Sequence, residues 1–207
     1  TLMLAGISHD LRTPLTRMNL QIALLGDKNA SKNLGDDVSE MKEMIDNYLA
    51  FARGEKEEKI KNINIYKLIK TLCEKDIIYD SKTFKNKVTK DVYINAKPLA
   101  MKRALLNILS NAISYSKNIV EIMTIKNDNF LNIVIEDDGK GIPKNKREKV
   151  FKAFYRIDES RQSASANTGL GLTIAKNIIQ GHGGRIILNA SNLGGLKVEI
   201  ILPIKMK

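Results

Sequence analysis

Apolar residues at Leu4, Ile7, Leu11, Leu15, Met18, Ile22 and Leu25 recur alternately three and four apart. That spacing puts them on one stripe of a helix, as in the seam of a coiled coil. Gly26-Asp27 breaks the pattern, a polar loop follows from Lys28 to Lys32, and a second seam runs through Leu34, Val38, Met41, Ile45, Tyr48 and Ala52. Residues 1–53 are therefore expected to form a helical hairpin. Two helices alone cannot cover both seams, so burial predicts a symmetric dimer closed as a four-helix bundle.

From Gly54 to Asn62 charge replaces the seam, which marks residues 54–62 as a linker. Over 63–207 the periodicity is mixed. Helix-like stretches at Tyr66 to Asp80, Pro98 to Tyr115 and Gly171 to His182 alternate with strand-like runs. The runs are Ile63 to Ile65, Val88 to Ile94, Val120 to Ile125, Leu131 to Glu136, Arg185 to Asn189 and Leu196 to Leu202. Asn127-Asp128-Asn129, between two of them, signals a hairpin turn. The fold class expected is multi-domain: an all-α hairpin followed by an α+β two-layer sandwich, its strands antiparallel and its helices on one face.

Length and composition agree with that division. A chain of 207 residues suits a small domain and a medium one, and 43% apolar with 28% charged residues describes a globular chain. The net charge is +11, but the 34 Lys and Arg are spread along the chain and no basic block is interleaved with aromatics. Nucleic acid is not indicated; a Lys-rich surface suits acidic or phosphorylated partners at most. Cys73 is the sole cysteine, so no internal disulfide forms, and it reads as a small buried hydrophobe. No run approaches the roughly 20 apolar residues of a membrane span. Thr1 stands only eight residues before His9, which reads as a fragment lacking its upstream part.

Candidate chemistry begins at Ser8-His9-Asp10-Leu11-Arg12-Thr13-Pro14-Leu15. His9 lies off the seam, and Thr13 follows on the same outer face after about 6 Å of rise. Pro14 in mid-helix leaves the Asp10 carbonyl without its usual donor and bends the helix beside the histidine. Asp10 could take the proton of one imidazole nitrogen and leave the other free to attack. An ordinary exposed histidine is the alternative. In the second unit, Asn107 and Asn111 stand four apart on a helix whose other face is apolar, and their amides can offer oxygens to Mg²⁺ and nitrogens to phosphate. Asp137-Asp138-Gly139-Lys140-Gly141-Ile142-Pro143 ends a strand in a carboxylate and a loop whose glycines allow close backbone approach. In Thr168-Gly169-Leu170-Gly171-Leu172, glycines open a helix, whose bare N–H groups suit phosphate. Neither the P-loop pattern nor the dinucleotide-fold pattern is present.

These boxes, in this order and with the aromatic run Phe151-Lys152-Ala153-Phe154-Tyr155-Arg156 between the last two, resemble the sensor histidine kinases of two-component systems. The first box, continuing as Thr16-Arg17, looks closest to the EnvZ-like osmosensor subgroup. The resemblance covers the whole chain. It implies a dimerisation and phosphoacceptor domain over residues 1–53 and a catalytic ATP-binding domain of Bergerat or GHKL type over 63–207. It implies ATP and Mg²⁺ as cofactors, autophosphorylation, transfer to the receiver domain of a response regulator, and phosphatase activity on that regulator.

By the same resemblance His9 is the phosphoacceptor, Asp10 its acid/base partner, and Thr13 the residue that positions hydrolytic water. Asn111 is expected to bind Mg²⁺, Asn107 to lie beside the phosphates, and Tyr115 to line the pocket. Asp137 would accept the adenine amino group, with Gly139, Gly141 and Ile142 shaping that wall. Residues 156–167, including Arg156 and Arg161, would form a mobile lid, with Thr168, Gly169, Leu170, Gly171 and Leu172 at its hinge. The chain departs from the family pattern at Ser114, where a basic residue is usual and Lys117 is the candidate replacement. It departs again at Asn167, where glycine is usual. His182-Gly183-Gly184 reads as a helix C-cap with left-handed glycines and no catalytic role. The implied location is the cytoplasmic part of a bacterial sensor, anchored in the inner membrane through its missing upstream segment. A conformational ATPase of the same superfamily and a non-catalytic dimeric adaptor are the alternatives.

Overall fold

The computed structural model describes residues 15–18, 20–24, 31–32, 34–35, 38, 41, 58–75, 82–157 and 169–204. His9, Asp10, Thr13, Pro14, Arg161, Asn167 and Thr168 lie outside the described residues. In the first unit, residues 15–18 and 20–23 are helical, as are Ser31, Lys32, Leu34, Gly35, Val38 and Met41. Ser31 and Lys32, expected in the polar loop, thus already belong to the second helix. The Ser31 hydroxyl donates to the Ile22 carbonyl at 3.0 Å and ties the two helical stretches together. Along the seams Leu15 and Val38 are buried, whereas Met18, Leu34 and Met41 are 42%, 45% and 45% exposed. Among the described residues, no helix is long and apolar enough to cross a membrane.

The second unit begins with β1 (Lys61–Asn64), whose first two residues were expected in the linker. It continues with α1 (Ile65–Lys75), β2 (Thr83–Lys87), β3 (Tyr93–Ala96), α2 (Pro98–Tyr115), β4 (Ile119–Lys126) and β5 (Phe130–Asp137). Two single-turn 3-10 helices, Lys144–Lys146 and Lys149–Phe151, precede α3 (Gly171–Gly181), β6 (Arg185–Ala190) and β7 (Leu196–Pro203). The main sheet has the order β2-β4-β5-β7-β6, while β1 and β3 form a separate antiparallel ribbon.

Local sequence explains most of these elements. Asn64 caps α1, its Oδ1 accepting the Lys67 N–H at 2.9 Å, a bond that stabilises a helix start by about 1 kcal/mol. Pro98 opens α2 at the first position, where its missing N–H costs nothing. Asn127 accepts the Phe130 N–H at 2.7 Å and so closes the β4–β5 hairpin as its turn residues foretold.

Two expectations fail. The sheet is mixed, because β2 runs parallel to β4. The single strand expected over Val88 to Ile94 is a strand only at Tyr93 and Ile94, which open β3; residues 88–92 form the loop that joins β2 to β3, with Val88 and Val92 buried from it. Of the two glycines after α3 only Gly183 is left-handed, at φ +73; Gly184 packs against the Ile201 carbonyl, where a Cβ would collide. Cys73 is only partly buried against the core.

Alternating residues of the main sheet, Val120 and Ile122 on β4, Leu131, Ile133 and Ile135 on β5, and Val198, Ile200 and Leu202 on β7, share one core cluster with the three helices. His182 fastens that layer. Its Nδ1 donates to the Ile178 carbonyl at 2.7 Å and its Nε2 accepts the Lys97 N–H at 3.0 Å, which joins the end of α3 to the start of α2.

Candidate active site

Asn107 and Asn111 lie half-buried on one face of α2, while Ala104, Leu105, Ile108, Leu109 and Ala112 bury the other. The helix period sets that division. Opposite Asn107 stands the start of α3: a Cβ on Gly171 would sit 3.6 Å from Asn107 Oδ1. Gly169, at φ +69, takes the left-handed conformation that turns the chain into α3, and its carbonyl accepts the Phe154 N–H at 3.1 Å. The first intrahelical bond of α3 runs from the Ile174 N–H to the Leu170 carbonyl, and the cap residue Leu170 supplies no side-chain bond. Among the described residues the first-turn N–H groups have no partner, the condition in which a helix start suits an anion. Leu170 is buried and Leu172 packs against the core, so both anchor this helix start.

The third wall comes from the end of β5. Asp137 is only 3% exposed. Its Oδ1 accepts two N–H bonds, from Gly139 at 2.8 Å and Leu196 at 3.2 Å, so Oδ2 is the oxygen open to a ligand donor. Around it the backbone leaves no room for side chains. A Cβ on Gly139 would strike the Tyr115 carbonyl at the end of α2, and one on Gly195 would strike Asp137 Oδ1 and the Gly139 nitrogen. Gly141, at φ +65, lies against the Gly195 carbonyl. Ile142 packs on the core and its carbonyl accepts the Arg147 Nε–H at 3.1 Å.

Asp138 does different work. It accepts the N–H groups of Lys117, Asn118 and Ile119 at 2.8, 3.0 and 3.1 Å and so binds the turn after α2 to the end of β5. Tyr115, 58% exposed, ends α2 at this corner, and Lys117 is exposed two residues on; Arg156 is exposed after the second 3-10 turn.

The two adjacent carboxylates titrate in opposite directions. Burial pushes Asp137 above its ordinary value of 3.8, against the pull of the Gly139 and Leu196 donors, and the neighbouring Asp138 charge adds to the rise. At Asp138 burial also acts upward, but the Ile119, Asn118 and Lys117 donors outweigh it and hold the group below 3.8. With a raised folded value, Asp137 takes up its proton first as the pH falls. Asp138 has a lowered one, so its contribution to stability persists until the pH drops below the ordinary carboxylate range. In an amide-shift titration, Gly139 and Leu196 should therefore respond at higher pH than Lys117, Asn118 and Ile119. The reverse order would contradict this assignment.

The sequence reading singled out Asn107, Asn111, Asp137, Gly139, Gly141 and Gly169 to Leu172; the fold sets Asn107 against Gly171 at the start of α3, and Asp137, Gly139 and Gly141 together at the end of β5. The sequence reading missed Asp138, Gly195 and Leu196. Gly195→Ala is expected to cost roughly 1–3 kcal/mol, the usual size of overpacking at a closed site, read as a lower melting temperature. An unchanged melting temperature would show that the β6–β7 turn can yield.

Comparison with known proteins places these features in context. Residues 96–206 match the family model described as histidine kinase-, DNA gyrase B-, and HSP90-like ATPase, and residues 1–57 match the His Kinase A phospho-acceptor domain. The chain is 33% identical to the sensor histidine kinase CpxA of Escherichia coli K12, over 98% of this chain and 46% of that protein. It is 34% identical to the sensor protein kinase WalK of Staphylococcus aureus, over 96% of this chain and 36% of that protein. The chain thus spans less than half the length of these relatives. Among solved structures, full-length ShkA in complex with AMPPNP superposes with a TM-score of 0.76 at 21% identity, over 99% of this chain and 46% of that one. The mycobacterial sensor histidine kinase MprB superposes at 0.62 with 26% identity, over 72% of this chain and 99% of that one. A phospho-acceptor match ahead of an ATPase match, with the buried Asp137 and the paired asparagines inside the second, places the chain in a family: it belongs to the sensor histidine kinases of two-component systems.

Proposed function

We propose that the chain is the kinase core of a sensor that phosphorylates His9 from ATP and passes the phosphoryl group to an aspartate on a response regulator. The observation that carries the reading is the buried Asp137, held through one oxygen and open through the other, across the cleft from Asn107 and the start of α3. An adenine nucleotide suits these residues. Asp137 Oδ2 can accept its amino group, the glycine-lined wall admits a flat ring, and the bare N–H groups of α3 face its phosphates. Asn111 and Asn107 would hold Mg²⁺ and phosphate oxygens, and the metal would supply charge neutralisation on the transferred group.

In the proposed step, an imidazole nitrogen of His9 attacks the γ-phosphorus in line. The bond to the β–γ bridging oxygen breaks, ADP leaves, and the imidazole proton passes to Asp10. Positioning supplies most of the acceleration. Thr13 would orient the water that hydrolyses the regulator's aspartyl phosphate. The exposed seam residues Met18, Leu34 and Met41 favour a second copy of this chain as the cover of the hairpin. Residues 54–60, ahead of β1, would be the linker between hairpin and catalytic domain, and the upstream part of the protein would anchor it to the inner membrane, with this core in the cytoplasm. Incubation with Mg²⁺ and γ-labelled ATP tests the reading: acid-labile, alkali-stable label on the chain is expected, and its absence would overturn it.

A further inference from the structure

The first turn of α2 can be accounted for donor by donor. Pro98 has no N–H, and the Met101 N–H already bonds the Lys97 carbonyl at 2.9 Å. Two donors remain, those of Leu99 and Ala100, and the Lys97 side chain does not cap them. Both go to one carboxylate. Glu58 Oε1 accepts the Leu99 N–H at 2.6 Å and Oε2 accepts the Ala100 N–H at 3.1 Å. The capping group thus comes from 41 residues back in the chain, inside the charged stretch before β1.

The other end of the same helix is treated in the opposite sense. Lys82 donates from Nζ to the carbonyls of Ile113 and Ser116 at the C-terminus of α2. An anion at the N-terminus and a cation at the C-terminus both complement the helix dipole, and both come from outside the helix. The helix so held carries Asn107 and Asn111.

We propose that Glu58 is a positioning residue that clasps the linker onto α2. Docked, it gives α2 its first-turn partners and consumes linker length. With Glu58 bound, the chain is anchored to α2 three residues ahead of β1. Released, residues 58–60 ahead of β1 add about 10 Å of reach at full extension. The clasp therefore sets how far the catalytic domain can travel toward His9, a consequence that rests on the linker and the kinase activity proposed above.

Glu58→Gln keeps the size of the side chain but replaces one acceptor by an amine facing an N–H. In the 207-residue chain, this variant is expected to raise amide exchange at Leu99 and Ala100 about fivefold, the scale of a lost N-terminal cap. It should also speed tryptic cleavage after Lys59. The KM for ATP in autophosphorylation should stay within about twofold while kcat rises at least about threefold. Unchanged exchange and cleavage would refute the clasp, and a KM that worsens with an unchanged kcat would show that Glu58 only stabilises the helix. If the unaltered chain takes up no label, the kinase reading fails instead, while exchange and cleavage still judge the clasp.

Discussion

His9→Gln is expected to abolish the acid-labile label that the chain acquires from γ-labelled ATP, a loss of about 10³-fold or more, as for removal of other catalytic nucleophiles. The reason lies in the lone pair. A neutral imidazole has a ring nitrogen free to attack phosphorus, whereas the glutamine amide nitrogen is delocalised into its carbonyl and is not a nucleophile at neutral pH. The substitution keeps a polar side chain of similar reach on what the periodicity makes the outer face of the helix, so the hairpin should persist. Nucleotide affinity should persist too, because the walls of the cleft, from Asn107 to Leu196, all lie in the second unit. A full measurement therefore pairs labelling with nucleotide titration on the same preparation. Loss of label with retained binding identifies His9 as the acceptor. Label that survives the substitution would place the acceptor elsewhere and remove the role assigned to the opening box.

Much of this architecture was legible because local chemistry and global packing agree. Pro98 and the apolar spacing after it fix α2 from Pro98 to Tyr115, and the structure returns those bounds. The Asn127 turn placed the β4–β5 hairpin for the same reason. β2 escaped because Thr-Phe-Lys-Asn-Lys is a polar edge strand in which Phe84 alone is partly buried, so it carries no alternation to detect. Its parallel pairing with β4 depends on distant chain topology, which no local pattern encodes. Val88 and Val92 misled for the opposite reason: they are apolar because they plug the core from a loop. The site shows the same limit. Gly139 and Gly141 stand out beside Asp137 in sequence, whereas Gly195 is required by a carboxylate 58 positions earlier and looks like any turn glycine. Glu58 sits in a charged stretch that reads as solvated, and only the fold reveals that its carboxylate has two specific donors.

Asp137→Asn should weaken nucleotide binding by about 10² to 10³-fold while leaving the fold intact. The substitution is nearly isosteric, and an Asn Oδ1 can still accept the Gly139 and Leu196 N–H groups that hold the side chain in place. Holding Oδ1 there forces the new amine into the position of Oδ2, where it meets the amino group of the base. Two donors then face each other at a side chain that is only 3% exposed. An unsatisfied buried pair next to a formerly charged acceptor costs about 3–4 kcal/mol, which corresponds to the stated range. Stability should move the other way. Burial disfavours the Asp137 charge, so a neutral side chain removes that penalty, and the melting temperature should hold or rise at neutral pH. Binding and stability thus change in opposite directions, which separates loss of recognition from loss of fold. Calorimetric titration with ATP and a thermal melt on the same variant read both quantities. Binding within tenfold of the unaltered chain would mean that adenine is recognised elsewhere, and a large drop in melting temperature would mean that Asp137 is there for the backbone alone.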